Sequence, residues 1–201
     1  MTAKRPFVIG LTGSIGMGKT TTAGFFKEEG VPVWDADAAV HRLYSKGGGA
    51  VGPIGALQPG AITGGAVDRG ALKAWIAADK DALRQIEQVV HPLVAADRAN
   101  FLQTSQADVV VLDVPLLFET GAAQMMDAIV VVTAPAAVQR ARVLGRGTMD
   151  LATFETIVKK QMPDEEKKQR ADYVVETVTL EGAQMAVKSI LGEIRRQQAD
   201  A

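Results

Sequence analysis

The chain has 201 residues and a mass of 21.2 kDa, the size of one domain or of one domain carrying an inserted subdomain. Apolar residues make up 47% and charged residues 22%, enough for a sizeable core, while 22 basic against 23 acidic residues exclude a bulk polycation that binds nucleic acid by charge alone. Cysteine is absent, which excludes a disulfide scaffold, a thiolate zinc or iron–sulfur site and a cysteine nucleophile.

The first apolar run, residues 7–11, is too short for a signal-peptide core or a membrane span, and no later stretch approaches eighteen apolar residues. The expectation is a soluble, cytoplasmic protein that engages neither membrane nor nucleic acid. Phe7-Val-Ile-Gly-Leu11 reads as a buried strand, followed by a helix over 20–29 that Gly30 stops. Between them lies Gly13-Ser14-Ile15-Gly16-Met17-Gly18-Lys19-Thr20, a glycine, four residues, then glycine, lysine and a hydroxyl residue. Shuffling this composition yields the pattern in about one chain in a hundred, and its place between strand and helix sharpens it further. The glycines free backbone N–H groups to face phosphates, and the helix N-terminus adds partial positive charge. Lys19 reaches the β- and γ-phosphates, and the Thr20 hydroxyl can ligand Mg²⁺. This loop predicts a nucleoside triphosphate site that includes Gly13 to Thr21.

Val31-Pro-Val-Trp34 reads as a second strand, with Pro32 placing it at a start or an edge. Asp35-Ala36-Asp37 follows at the end where open parallel sheets bind ligands. As a strand continuation it would put both carboxylates on one side; the alternative is that one of them caps a helix starting near Ala38. No good strand is predicted from 35 to 108. Residues 47–70 hold nine glycines and two prolines and read mostly as loop, with helices over 71–78 and 81–103 after it. Residues 109–114 and 128–132 are the clearest strands, and 172–175 is a weaker one. Residues 140–170 read as a mostly helical flap with eight basic residues against five acids. A final amphipathic helix spans 181–198, with Met185, Ile190, Leu191 and Ile194 among its apolar residues.

This alternation predicts an α/β P-loop fold with a five-stranded parallel sheet. A helical substrate-binding insertion and a helical lid complete it. The domain reading assigns 1–35, 105–139 and 171–201 to a nucleotide-binding core, 36–104 to the insertion and 140–170 to the lid. The short chain, the insertion and the flap favour a small-molecule kinase over a motor or helicase. No Asn-Lys-x-Asp guanine signature is present. Another small-molecule kinase and an ATP-hydrolysing regulatory module remain the rival readings.

The motifs in order carry a closer resemblance. Gly10 to Thr21 reads Gly-Leu-Thr-Gly-Ser-Ile-Gly-Met-Gly-Lys-Thr-Thr, followed by Asp35-Ala-Asp37, His91-Pro92-Leu93-Val94 and Pro115-Leu116-Leu117-Phe118-Glu119. Gln139, Arg142 and Arg146, then Gln161-Met162-Pro163 and Ala171-Asp172, complete the series. Across essentially the whole chain this resembles the dephospho-coenzyme A kinases. The resemblance implies ATP-dependent phosphorylation of the ribose 3′-hydroxyl of dephospho-CoA, with Mg²⁺. It implies Asp37 as general base and Asp35 as a helper, although spacing does not separate the two. Lys19, Arg142 and Arg146 would neutralise phosphate charge, with both arginines on one face of a lid helix. His91, Pro115, Leu116, Leu117 and Glu119 join the acceptor site, as does His41, four residues past Asp37 and able to pair with it across one helical turn. Independently of the resemblance, Asp113 occupies the place of a Walker-B-type carboxylate near Mg²⁺. A monomer or small homo-oligomer is expected. Two positions depart from the family pattern: Pro59-Gly60 stands where Phe-Gly is common, and Thr177 stands where Asn is common, near the expected adenine site.

Overall fold

A computed structural model describes residues 5–200. In chain order the elements begin with β1 (Phe7–Thr12), α1 (Lys19–Glu28), β2 (Val33–Asp35), α2 (Ala36–Tyr44) and α3 (Val51–Leu57). The short strands β3 (Ile62–Thr63) and β4 (Ala66–Val67) precede α4 (Arg69–Ala78), α5 (Ala82–Thr104), β5 (Val109–Asp113) and β6 (Ala128–Thr133). The remainder is α6 (Ala136–Gly145), α7 (Leu151–Lys160), α8 (Asp164–Gln169), β7 (Tyr173–Glu176) and α9 (Leu180–Ala199).

The chain divides into two compact units, 34–104 and the two flanking segments together. In the larger unit the sheet runs β2-β5-β1-β6-β7, with β1 parallel to β5 and β6, and β6 parallel to β7. Its strands read as near-continuous aliphatic runs because helices cover both faces of a parallel sheet. All five residues of β5 are buried. Ile9, Leu11, Phe26, Val111, Val132, Val187, Leu191 and Ile194 share one core. Met185, counted among the apolar residues of the last helix, is instead 66% exposed, because the buried stripe of α9 runs through Ala183, Val187, Ile190, Leu191 and Ile194.

The smaller unit corrects two expectations. Residues 47–70 are not mostly loop: α3, a single 3₁₀ turn (Pro59–Ala61) and the β3–β4 hairpin lie within them. Ile54 and Ala61 are fully buried there beside Val67, Leu72, Ile86 and Val90, so burial overrides the poor local propensity. Gly64 and Gly65, both at positive φ, turn the hairpin as a two-residue loop requires. The second correction concerns Asp35-Ala-Asp37. The helix starts at Ala36 rather than near Ala38. Asp35 is its N-cap, accepting from the Ala38 N–H at 2.9 Å, and Asp37 lies in the first helical turn. The extended spacing that would align the two carboxylates is therefore absent.

One polar cluster ties α2 to α5 in this unit. The Asp97 carboxylate accepts from the buried Trp34 indole at 2.6 Å and from Arg42 at 2.7 Å. Burial pushes the Asp97 carboxyl up, but the bonds from Trp34 and Arg42 outweigh it and hold it below the ordinary carboxylate value. A depressed native value means that this stabilisation is present above the unfolded value and is lost as pH falls through the native one. Asp97→Ala should cost on the order of 1–2 kcal/mol at neutral pH. Urea melts should show the gap from wild type narrowing at acid pH; a constant gap would contradict this account.

Candidate active site

The glycine loop joins β1 to α1 with its backbone fixed by contacts that leave no room for side chains. Gly16 and Gly18 lie at φ 78° and 88°. A Cβ on Gly13 would come within 2.3 Å of a Val132 methyl, and one on Gly16 within 2.5 Å of Val143. The loop N–H groups and the start of α1 thus form an anion cradle. Ser14 and Met17 are buried in it, and the Met17 thioether accepts from the Ala134 N–H at 3.2 Å. Two glutamines bracket Ile15: Gln139 on α6 donates to its carbonyl at 2.8 Å, and its N–H donates to the Gln161 side chain at 3.1 Å. Neither glutamine suggested a loop contact by its local sequence, because a partner 124 or 146 residues away leaves no local signal.

Lys19, the first residue of α1, forms an ion pair with the buried Asp113 at the end of β5. Thr20 and Thr21 are exposed on the first turn of α1. No cluster of three or more metal-binding side chains occurs among the described residues. A divalent ion held by one or two protein oxygens plus nucleotide phosphates needs no such cluster. The Thr20 hydroxyl and the Asp113 carboxylate are oxygen donors of the type such an ion takes, so the residues present fit it.

Arg142 lies in the last turn of α6, and Arg146, its C-cap, keeps helical backbone at φ −73° and ψ −17°, one turn further on. Both line one cavity of about 270 Å³ with Gly18, Thr21, Thr22, Thr177, Thr179, Leu180 and Ala183. Arg142 donates to the Thr177 hydroxyl at 2.9 Å and to the Thr177 carbonyl.

The segment after β5 is held from both sides. The Pro115 carbonyl accepts from Thr12 at 3.1 Å, Leu117 is fully buried, and Leu116 is exposed. Glu119 accepts from the Met162 N–H at 2.9 Å, and its carboxylate stands 3.1 Å from the ammonium of the fully buried Lys167 on α8. Lys167 is charge-paired there without hydrogen-bond alignment. In the smaller unit, His41 and His91 are exposed on α2 and α5, as is Asp37. No hydrogen bond or ion pair joins His41 to Asp37 among the described residues.

A parallel sheet with a glycine loop, its lysine and a basic cavity beside the loop define a P-loop kinase of small molecules. A shikimate kinase structure from Bacteroides thetaiotaomicron shares this fold, with a TM-score of 0.52 at 16% identity, covering 94% of this chain and 98% of that one. The dephospho-CoA kinase family model matches residues 7–181, and the chain belongs to that family. A dephospho-CoA kinase from Cereibacter sphaeroides is 61% identical over 197 residues, covering 98% of this chain and all of the relative. A crystal structure from Thermus thermophilus is 36% identical with a TM-score of 0.82, covering 94% of this chain and 98% of that one.

The Glu119–Lys167 pair carries a prediction about stability. Burial pushes the Glu119 carboxyl up, but the Met162 N–H, its own N–H and the Lys167 charge together hold it below the ordinary value. Glu119→Gln leaves a buried ammonium without its carboxylate and should cost about 2–4 kcal/mol at neutral pH, more than Lys167→Met. The Glu119→Gln gap should shrink as pH falls through the depressed native value. Chemical denaturation across pH 3–8 (roughly the range spanning the carboxylate titration) checks both the order and the sign.

Proposed function

We propose that this chain transfers the γ-phosphoryl group of ATP to the ribose 3′-hydroxyl of dephospho-CoA, giving CoA and ADP, the last step of coenzyme A synthesis. The observation that carries this reading is the family match over 7–181, which spans the glycine loop and its lysine as well as Asp37, Arg142 and Arg146. Oxygen O3′ forms a bond to the γ-phosphorus while the bond from that phosphorus to the β–γ bridging oxygen breaks. The hydroxyl proton passes to the Asp37 carboxylate. Asp37 suits this better than Asp35, whose carboxylate is spent on the Ala38 N–H. The transition state of phosphoryl transfer is loose, so positioning and charge neutralisation outweigh proton abstraction. Lys19 meets the charge that develops between the β- and γ-phosphates, and the loop N–H groups orient them. Mg²⁺, held by Thr20 and Asp113, would supply further charge neutralisation when bound. His41, His91, Pro115, Leu116, Leu117 and Glu119 stay assigned to the acceptor side in this reading, which also keeps the cytoplasmic location.

A lid over 140–170 belongs to the same proposal, because a kinase must keep water from ATP. Gln139 and Arg142 bind α6 to the loop and to Thr177, and Gln161, Met162 and Lys167 are tied to the loop and to Glu119, so movement is assigned to 146–160 between these ties. Proteolysis at 145–147 should slow when Mg-ATP and dephospho-CoA are both present, and an unchanged rate would remove the lid from this reading.

The primary test is ADP release with and without dephospho-CoA, with mass spectrometry of the product. Acceptor-dependent release and a mass gain of about 80 Da, one phosphoryl group, are expected. Release indifferent to the acceptor would favour an ATPase. Asp37→Asn should lower acceptor-dependent turnover about a hundredfold or more while leaving ATP binding within about twofold. Asp35→Ala should instead cost about 1 kcal/mol of stability through the lost cap. Near-normal turnover in the Asp37 variant would sink the base assignment.

A further inference from the structure

The cavity beside the glycine loop depends on a residue that belongs to no phosphate motif. Thr177 follows β7 and is 7% exposed. Its hydroxyl donates to the Met17 carbonyl in the loop at 2.8 Å and lies 3.2 Å from the Thr133 carbonyl at the end of β6. The same oxygen accepts from Arg142 at 2.9 Å, and a second Arg142 nitrogen donates to the Thr177 carbonyl. A hydroxyl has one proton to give and lone pairs to accept. The direction is therefore fixed: Arg142 donates, Thr177 accepts and passes its own proton to the loop. A Cβ on Gly18 would come within 2.9 Å of the Thr177 hydroxyl, so loop and hydroxyl are in close packing.

The guanidinium held in this way is one wall of the 270 Å³ cavity next to Gly18 and Thr21. A nucleotide whose phosphates sit on the loop and the α1 N-terminus carries its base and ribose into the space beside them. Guanidinium faces stack on flat π systems, and a stacked cation is worth more when its orientation is fixed in advance. The remaining side chains that line the cavity are threonines, Leu180, Ala183 and Arg146, with no carboxylate or carboxamide. Arg142, held by Thr177 at the side of this cavity, then serves the base, and phosphate charge is left to Lys19 and Arg146.

We propose that Thr177 is a positioning residue for the nucleotide: its buried hydroxyl couples Arg142 to the Met17 carbonyl and fixes the guanidinium as the face on which the base stacks. This rests on the kinase reading for the identity of the nucleotide. Losing the buried hydroxyl leaves the guanidinium on one anchor, the Thr177 carbonyl, and the Met17 carbonyl short of a donor.

The test compares Thr177→Val, which keeps the shape, and Thr177→Ser, which keeps the hydroxyl. Thr177→Val should raise the KM for Mg-ATP about tenfold, with kcat and the KM for dephospho-CoA within about twofold. Thr177→Ser should stay within about twofold of wild type on every parameter. In an Arg142→Ala background, Thr177→Val should add less than about twofold, because both changes break the same link. Additive effects, an impaired serine variant or an unchanged KM in the valine variant would each overturn the proposal. The thermal shift given by Mg-ATP alone reads the same order without any acceptor, so a wrong acceptor assignment would not be mistaken for a failure of Thr177. If the valine variant does not fold, Thr177→Ala takes its place in both measurements.

Discussion

Everything in the larger unit depends on how closely the chain must pass the loop between β1 and α1. The loop has to turn its N–H groups inward toward an anion, which needs positive φ at Gly16 and Gly18. It also has to lie against β6 and α6 with no space for a β-carbon, as the 2.3 Å and 2.5 Å approaches at Gly13 and Gly16 show. These two demands are separate. Conformation alone would accept glycine at two positions, whereas packing also requires it at Gly13, where φ is not positive.

The same closeness explains the ring of polar contacts around the loop. A backbone held against packed aliphatic strands loses water, and its polar groups need partners within the protein. Gln139, Gln161 and Thr177 supply them at Ile15 and Met17, and each comes from a different part of the C-terminal half. Lys19 adds a charge that the buried Asp113 balances. The site is thus assembled by parts of the chain that also carry the basic residues. Arg142 belongs to both sets, since it touches Thr177 and lines the cavity.

The smaller unit obeys a different rule. Its stretch of nine glycines and two prolines over 47–70 is unfavourable for regular structure, yet folds because Ile54, Ala61 and Val67 reach a core completed by α4 and α5. Asp35 shows how a local polar contact can override a motif's apparent geometry. Two carboxylates with one residue between them look alike in an extended chain, but a side chain that accepts from the N–H three residues on starts a helix and separates their roles.

The sequence by itself determined the sheet, the loop and the family. Aliphatic runs, glycine spacing and motif order are local features, and burial on both faces of a parallel sheet writes itself directly into composition. It determined the lysine and threonine of the loop for the same reason. Tertiary structure alone decided that Glu119 is held by Lys167 and Met162, that Gln139 and Gln161 bracket Ile15, and that Met185 faces solvent. It also decided that Thr177, which in the sequence is one substitution near a base site, links an arginine to a loop 160 residues away. Such contacts are set by which surfaces the folded strands bring together, and the pairing of distant polar groups leaves no periodicity in the chain to be read.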